Sequence, residues 1–337
     1  MSGNDTRYAY AVARIRALEN RLLDRSRIDI MLEAKTSQDV LKILGETDYS
    51  AALGDIQDEY DFEKLLVAER NKVIELLKKI APNPEVISIL IMRYDFHNMK
   101  VLLKAKYLGE SSDHLLVDAG SVNPALLKKM VEEDTYRDLP PLMRKAMEET
   151  VSEFQKNEDP QMISFALDKY LYETLTALAL EQKSEFLIRY FKMQADLINV
   201  SAFLRVKNLN KSREFLENVL LDNGIIEKRV FLQLFMEPEP ADALIARMTN
   251  SDYSLIIEEG ARMWLKNRST TDFEKLADNY LLRYLQSAKM VVFGAEPLIA
   301  YLLAKEIEIK IIRMIMISKL NGIPVEDIKE RLRDVYA

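Results

Sequence analysis

The chain has 337 residues, nearly half of them apolar, with 47 basic against 54 acidic side chains and a net charge of −7. That length suits two or three domains with a sizeable buried core, and the mixed, mildly acidic charge lacks the basic footprint that nucleic acid requires. Cysteine is absent, which excludes disulfides and thiolate metal sites and fits a reducing compartment.

Nine glycines and ten prolines are scattered among abundant Leu, Ile, Met, Glu, Lys and Ala, a composition that favours long helices. No alternating strand pattern bounded by turn residues occurs, so the expected fold class is all-α. The opening stretch MSGNDTRYAYAVARIR has no apolar secretory core. The most apolar stretch, 290–320, is broken by Glu296, Lys305, Glu306, Glu308, Lys310 and Arg313. No uncharged run therefore approaches the roughly 18 residues needed to span a bilayer, and membrane insertion is not expected.

In chain order, Tyr8, Val12, Ile15, Leu18 and Leu22 line one face of a first helix expected over 6–24. A polar connection at 45–61 leads to a helix over 62–80, stopped by PNP, and a further helix runs from 84 to 108. Later breaks fall at GSVNP (120–124), DLPP (138–141), NEDP (157–160), DNG (222–224), EPEP (237–240) and NRSTTD (267–272).

The helix ending DFHNMKVLLKAKYLG, at 95–109, is written again as DLINVSAFLRVKNLN at 196–210 and EIKIIRMIMISKLNG at 308–322. At these offsets of 101 and 213 residues, Asp95, Asp196 and Glu308 align. The apolar sets Phe96/Leu197/Ile309, Met99/Val200/Ile312, Leu102/Phe203/Ile315 and Leu103/Leu204/Met316 align with them. Lys106, Lys207 and Lys319 then stand in the last turn, where a cation favours the negative end of the helix dipole. Three residues beyond each lysine comes Gly109, Asn210 or Gly322, residue types that tolerate the left-handed conformation closing a helix. A tyrosine turn recurs as TDY at Tyr49, DTY at Tyr136 and SDY at Tyr253, and a long helix begins near 61, 159 and 271. The chain therefore reads as a threefold repeat with lobes expected over 1-110, 111-211 and 212-337. Units this long exceed the period of a solenoid repeat and can each hold a small core.

These elements resemble the C subunits of bacterial and archaeal V/A-type ATPases, a family that includes the d subunit of eukaryotic vacuolar ATPases. The resemblance rests on the opening YAYAVARIRALENRLL, the D-x-x-N-x-x-x-x-L-[KR]-x-K form at 95–106 and 196–207, and the threefold layout of the whole chain. The third copy departs from it, with Ile311 in place of Asn98 and Asn199 and Ile317 in place of a basic residue. What the family implies is three similar helical lobes with pseudo-threefold symmetry in a funnel shape. It implies a non-catalytic rotor component, cytoplasmic and peripheral to the membrane, without a cofactor. Its partners would be the central-stalk subunits and the cytoplasmic loops of the membrane rotor ring, coupling ATP hydrolysis or synthesis to proton or sodium transport. The isolated chain is expected to be a monomer. An all-helical repeat adaptor that binds a partner helix in a groove is the alternative reading, and a helical enzyme using carboxylates without a recognisable motif stays open beside it.

The residues themselves carry no familiar catalytic signature. Phosphate-loop and dinucleotide fingerprints are absent, and His97 and His114 are the only histidines, too few for ordinary zinc spacing. Both read as surface residues. The pairs Asp95/Asn98 and Asp196/Asn199 share a helix face and read as buried hydrogen-bonding pairs, or else as lining for a central socket. Arg7, Arg14, Arg21 and Arg25, spaced seven, seven and four apart, form a basic stripe on the expected first helix. They are the candidates for partner contact.

Overall fold

The computed structural model describes residues 5–249 and 251–337. The first four residues of the lobe expected over 1-110, and Asn250 of that over 212-337, lie outside the described residues. Among the described residues the chain is all-α, built of α-helices and short 3₁₀ turns.

Two compact units divide it: residues 1–87 with 274–337, and residues 88–273. The first unit begins with α1 (Ala9–Glu19), α2 (Arg25–Glu33), α3 (Ser37–Leu44) and α4 (Phe62–Ile80). Helix α5 (Glu85–Leu108) enters the second unit in its first turn. There follow α6 (Pro124–Glu132), α7 (Pro141–Asn157), α8 (Pro160–Glu181), α9 (Glu185–Asn208), α10 (Arg213–Val219), α11 (Lys228–Leu234), α12 (Pro240–Met248) and α13 (Ser254–Asn267). The chain then returns to the first unit through α14 (Thr271–Gln286), α15 (Glu296–Leu320) and α16 (Val325–Arg331).

Local chemistry sets most of these boundaries. Asp24, Thr36, Asn123, Asp159, Ser184 and Ser212 each accept a hydrogen bond from a backbone N–H in the first turn that follows, as N-cap residues do. Pro124, Pro141, Pro160 and Pro240 open their helices, where the missing N–H costs nothing. The first helix stops at Glu19, five residues short of the expected end. The N–H groups of Arg21 and Leu22 turn back to the carbonyls of Leu18 and Glu19, and the Asp24 cap then starts a new helix. Arg7 accordingly sits in the 3₁₀ turn Thr6–Tyr8, Arg14 on α1, Arg21 in the connection and Arg25 at the start of α2. The four arginines do not share one helical face.

The core of the second unit packs Phe96, Met99, Leu102 and Leu103 of α5 against Leu127, Met130 and Val131 of α6, Met143, Ala146 and Met147 of α7, and Ile163 and Leu167 of α8. In the first unit Ile309, Ile312, Ile315 and Met316 of α15 pack against Ile28, Met31 and Leu32 of α2, Val40 and Leu44 of α3, and Phe62, Leu65 and Leu66 of α4. Burying each of the larger side chains, Val, Leu, Ile, Met or Phe, is worth about 1.5–3 kcal/mol against leaving it exposed. So α5 packs on the segment that follows it, whereas α15 packs on the N-terminal segment. Boundaries drawn at 1-110, 111-211 and 212-337 follow chain order, and these contacts cross them.

Candidate functional site

The three recurring helices, α5, α9 and α15, carry the polar groups that set the site candidates in place. In α5 the buried Asp95 carboxylate accepts from the Ser121 N–H and Oγ and from the Val122 N–H, at 2.8–2.9 Å. One turn on, buried Asn98 clamps Val117, accepting from its N–H and donating to its C=O, both at 2.8 Å. Helix α9 repeats this construction. Asp196 accepts from the Ile225 and Ile226 N–H groups at 3.0 Å and from the Tyr253 hydroxyl at 2.9 Å. Asn199 clamps Leu221 through both backbone groups, at 2.8 and 2.9 Å. These pairs tie a helix to the loop after it.

Both loops must come very close to their carboxylates. A Cβ on Gly120 would lie 2.1 Å from Asp95 Oδ1, and one on Gly224 would lie 2.1 Å from Asp196 Oδ1. Neither glycine has a positive φ, so room for the carboxylate is what requires them. Burial raises the Asp196 carboxyl above the usual carboxylate range, although the Ile226 and Ile225 amides and the Tyr253 hydroxyl oppose it.

In α15 the chemistry changes. Glu308, one methylene longer than aspartate, accepts from the Leu23 N–H at 2.6 Å and from the Tyr49 hydroxyl at 2.8 Å. Ile311, in the asparagine position, is buried in the apolar core. Lys305 is 1% exposed, with its Nζ 2.7 Å from Glu308 and 3.4 Å from Glu69 and over the Tyr49 ring at 5.1 Å. Burial alone would lower its ammonium, but Glu308, Tyr301 and Glu69 outweigh that and hold it charged. Glu69 is itself buried and also accepts from Lys72 at 2.9 Å.

The helix ends are alike in all three copies. Gly109, Asn210 and Gly322 stand at φ of +70°, +51° and +65°. The N–H groups of Glu110, Lys211 and Ile323 reach back to Ala105, Val206 and Ser318, closing the last turn. The lysines act on a neighbour as well as at their own helix ends. Lys106 donates to the Val131 carbonyl at 2.7 Å, Lys207 to the Phe235 carbonyl at 3.4 Å, and Lys319 to the Leu32 carbonyl at 2.5 Å. Each of those carbonyls lies at the C-terminal end of a short helix, α6, α11 or α2, where acceptors lack helical partners. Lys106 also pairs with Asp134 at 2.6 Å, and Lys207 lies over the Phe235 ring at 4.6 Å.

The arginine candidates stay on the surface. Arg7 pairs with Asp5 at 2.7 Å, Arg21 with Asp48 at 3.4 Å and Arg25 with Asp29 at 3.0 Å, while Arg14 is exposed. Both histidines are exposed, His97 with a ring nitrogen 3.0 Å from the Leu115 carbonyl. Among the described residues no group of three or more His, Asp and Glu side chains is placed to hold a metal, and no helix is long and apolar enough to cross a membrane.

Sequence reasoning missed Gly120, Gly224, Lys305 and Glu69. A signal for the loops existed: Val117-Asp-Ala-Gly-Ser-Val122, Leu221-Asp-Asn-Gly-Ile-Ile226 and Leu23-Asp-Arg-Ser-Arg-Ile28 line up once the loops are known to be equivalent.

Against known proteins, the profile of the ATP synthase (C/AC39) subunit family matches residues 11–331. The C subunit of the V-type sodium ATPase of Enterococcus hirae is 30% identical over 322 residues, covering 96% of this chain and 97% of that protein. The C subunit of the A-type ATP synthase of Methanosphaera stadtmanae is 28% identical over 341 residues, covering 96% of this chain and 87% of that protein. Its counterpart in the A-type ATP synthase of Methanocaldococcus jannaschii is 25% identical over 344 residues, covering 96% and 86%.

Proposed function

The chain belongs to the ATP synthase (C/AC39) subunit family, and from that membership we propose that it is a non-catalytic rotor subunit of a V/A-type ATPase. In this reading it links the central stalk to the membrane rotor ring and passes torque between ATP turnover and ion transport. The observation that carries it is likeness along nearly the whole chain to the C subunits of a V-type ATPase and an A-type ATP synthase. Three lobes arranged as a funnel would let one end receive the stalk and the other meet the ring loops. The construction of the repeats supports a stiff coupler. Each recurring helix is clamped by buried polar groups, and no Gly/Ser-rich linker occurs in the sequence.

The exposed arginines supply candidate contact points. Arg14 is the freest of them to meet an acidic partner surface, since Arg7, Arg21 and Arg25 each hold an aspartate already. The test is a complex rebuilt with and without this chain. Omission should leave ATP hydrolysis by the soluble head but abolish ATP-driven ion transport, and adding the chain back should restore transport. Transport that survives omission would sink the rotor reading and leave the helix-binding adaptor standing. With Arg14→Glu/Arg21→Glu, assembly or transport should fall at least tenfold with helicity and head ATPase unchanged. Normal pumping would reduce the arginines to a solvated surface.

A further inference from the structure

The three recurring helices pose a problem of identity. Helices α5, α9 and α15 bear near-identical apolar patterns, and each needs its own docking segment from one chain. Apolar burial is non-directional and cannot by itself tell three similar faces apart. The polar positions can. Lys305 stands where α5 has Met92 and α9 has Met193, and Ile311 stands where they have Asn98 and Asn199. The docking side has changed to match. When the first turns of α4 and α8 are aligned on Phe62 and Ile163, Glu69 stands where Tyr170 stands. Lys305 and Glu69, the two exchanged residues, meet at 3.4 Å in a buried setting.

We propose that the Lys305–Glu69 pair, together with Ile311 six residues further along α15, directs the N-terminal segment to α15 and keeps it off α5 and α9. Docked on either of those helices, Glu69 would lose the buried Lys305 ammonium, be pressed against a methionine, and keep only Lys72 of its own helix as a cation. The reverse error also fails, since α15 offers no asparagine to hold the backbone of Val117 or Leu221, and Lys305 would face a tyrosine. An ion pair is expensive to break by removing one partner, yet replacing both partners by apolar groups of similar volume is often neutral. Lys305 also holds Glu308 at 2.7 Å, so the cluster as a whole is suited to specifying a partner, since a wrong partner leaves a buried charge unmatched.

That asymmetry supplies the experiment. In the full-length chain, Lys305→Met/Glu69→Leu makes α15 resemble its two relatives and leaves Glu308 its bonds from Leu23 and Tyr49. Parent and variant are unfolded in denaturant, refolded by dilution, and followed by peptide-resolved hydrogen exchange with mass spectrometry. The expected result is a parent that refolds as one population. The variant should split, with the fraction of molecules lacking protection at 23–33 and 308–319 rising at least tenfold. A variant that refolds as one population with the parent's protection overturns the proposal. Should it fail to fold, Lys305→Gln/Glu69→Gln keeps neutral hydrogen-bonding groups and is read the same way. If neither variant folds, the cluster is a stability element and the proposal falls.

Discussion

Helices α9 and α15 carry matching apolar faces and end in the same left-handed turn, but they hold their neighbours by different means. On α9 a buried asparagine and aspartate grip backbone groups 22 to 30 residues further along the chain. On α15 an ion cluster and an isoleucine grip a segment 259 to 285 residues earlier. The amide clamp depends on short, directional bonds to a loop that must come within contact distance, so it tolerates no added atom. The α15 contact depends on charge and apolar volume, and its loop already carries a side chain, Ser26, where α5 and α9 meet glycine. Equivalent positions in an internal repeat can thus carry opposite sensitivities.

The largest expected effect tests that contrast at the loops. Gly224→Ala places a methyl against Asp196 and should cost about 3 kcal/mol, combining overpacking with lost charge-assisted bonds. Ser26→Ala, at an exposed equivalent position, should cost less than about 0.5 kcal/mol. Hydrogen exchange in the unit that contains each site would read both, and equal effects would break the comparison. Next in size, Asn199→Ala strands the Leu221 N–H and C=O and should cost about 2 kcal/mol. Ile311→Val, in the same position on α15, should cost about 1 kcal/mol. Chemical denaturation followed by probes in each unit would separate them.

Smaller effects are expected where the copies agree. Gly109→Val and Gly322→Val should each cost about 1–2 kcal/mol, because the backbone is left-handed while the space around a Cβ is open. Asn210→Val should cost less, the native residue already carrying a side chain. Unchanged melting of both glycine variants would remove the cap assignment. The smallest effect is a pH dependence, to which α9 contributes through Asp196. Because burial raises Asp196 in the folded state, its ionised form costs stability at neutral pH. That cost is recovered as pH falls through the raised folded value toward the unfolded value of about 3.9. Asp134, held below its ordinary value by Lys106, works in the opposite sense: its contribution is present above the unfolded value and fades as pH falls through the folded one. Carbon-13 titration of the two carboxyls should show inflections displaced in opposite directions.

Much of this is legible in sequence because it is local. The Lys-x-x-Gly/Asn endings announce the caps at 109, 210 and 322, and PNP marks the end of α4 to the residue. The length of α1 is harder to read because Leu22 continues the apolar period, although it reaches the core from a turn after Asn20. The targets of Lys106, Lys207 and Lys319 are hidden because a terminal lysine suits its own helix dipole equally well. Gly120 and Gly224 look like ordinary loop glycines, since the need for close approach appears only when the carboxylate opposite is known. Which segment closes which helix is least legible. In a tandem repeat the same string of elements can be cut at any phase, and chain order gives no sign that Tyr49 belongs with Glu308.

The reach of α15 back to the start of the chain has a consequence for biosynthesis. Ribosomes add about 5–20 residues per second. The partners of α9 lie within 30 residues, or 57 for Tyr253, and can close on it seconds after they emerge. The 285 residues between Leu23 and Glu308 impose a wait of roughly 15–60 seconds at that rate. Throughout it the apolar faces of α2, α3 and α4, from Ile28 to Leu66, have no α15 to cover them. The N-terminal segment is therefore the part of the nascent chain most in need of a holding chaperone. Slow codons placed late in the message would lengthen its exposure more than the same codons placed early.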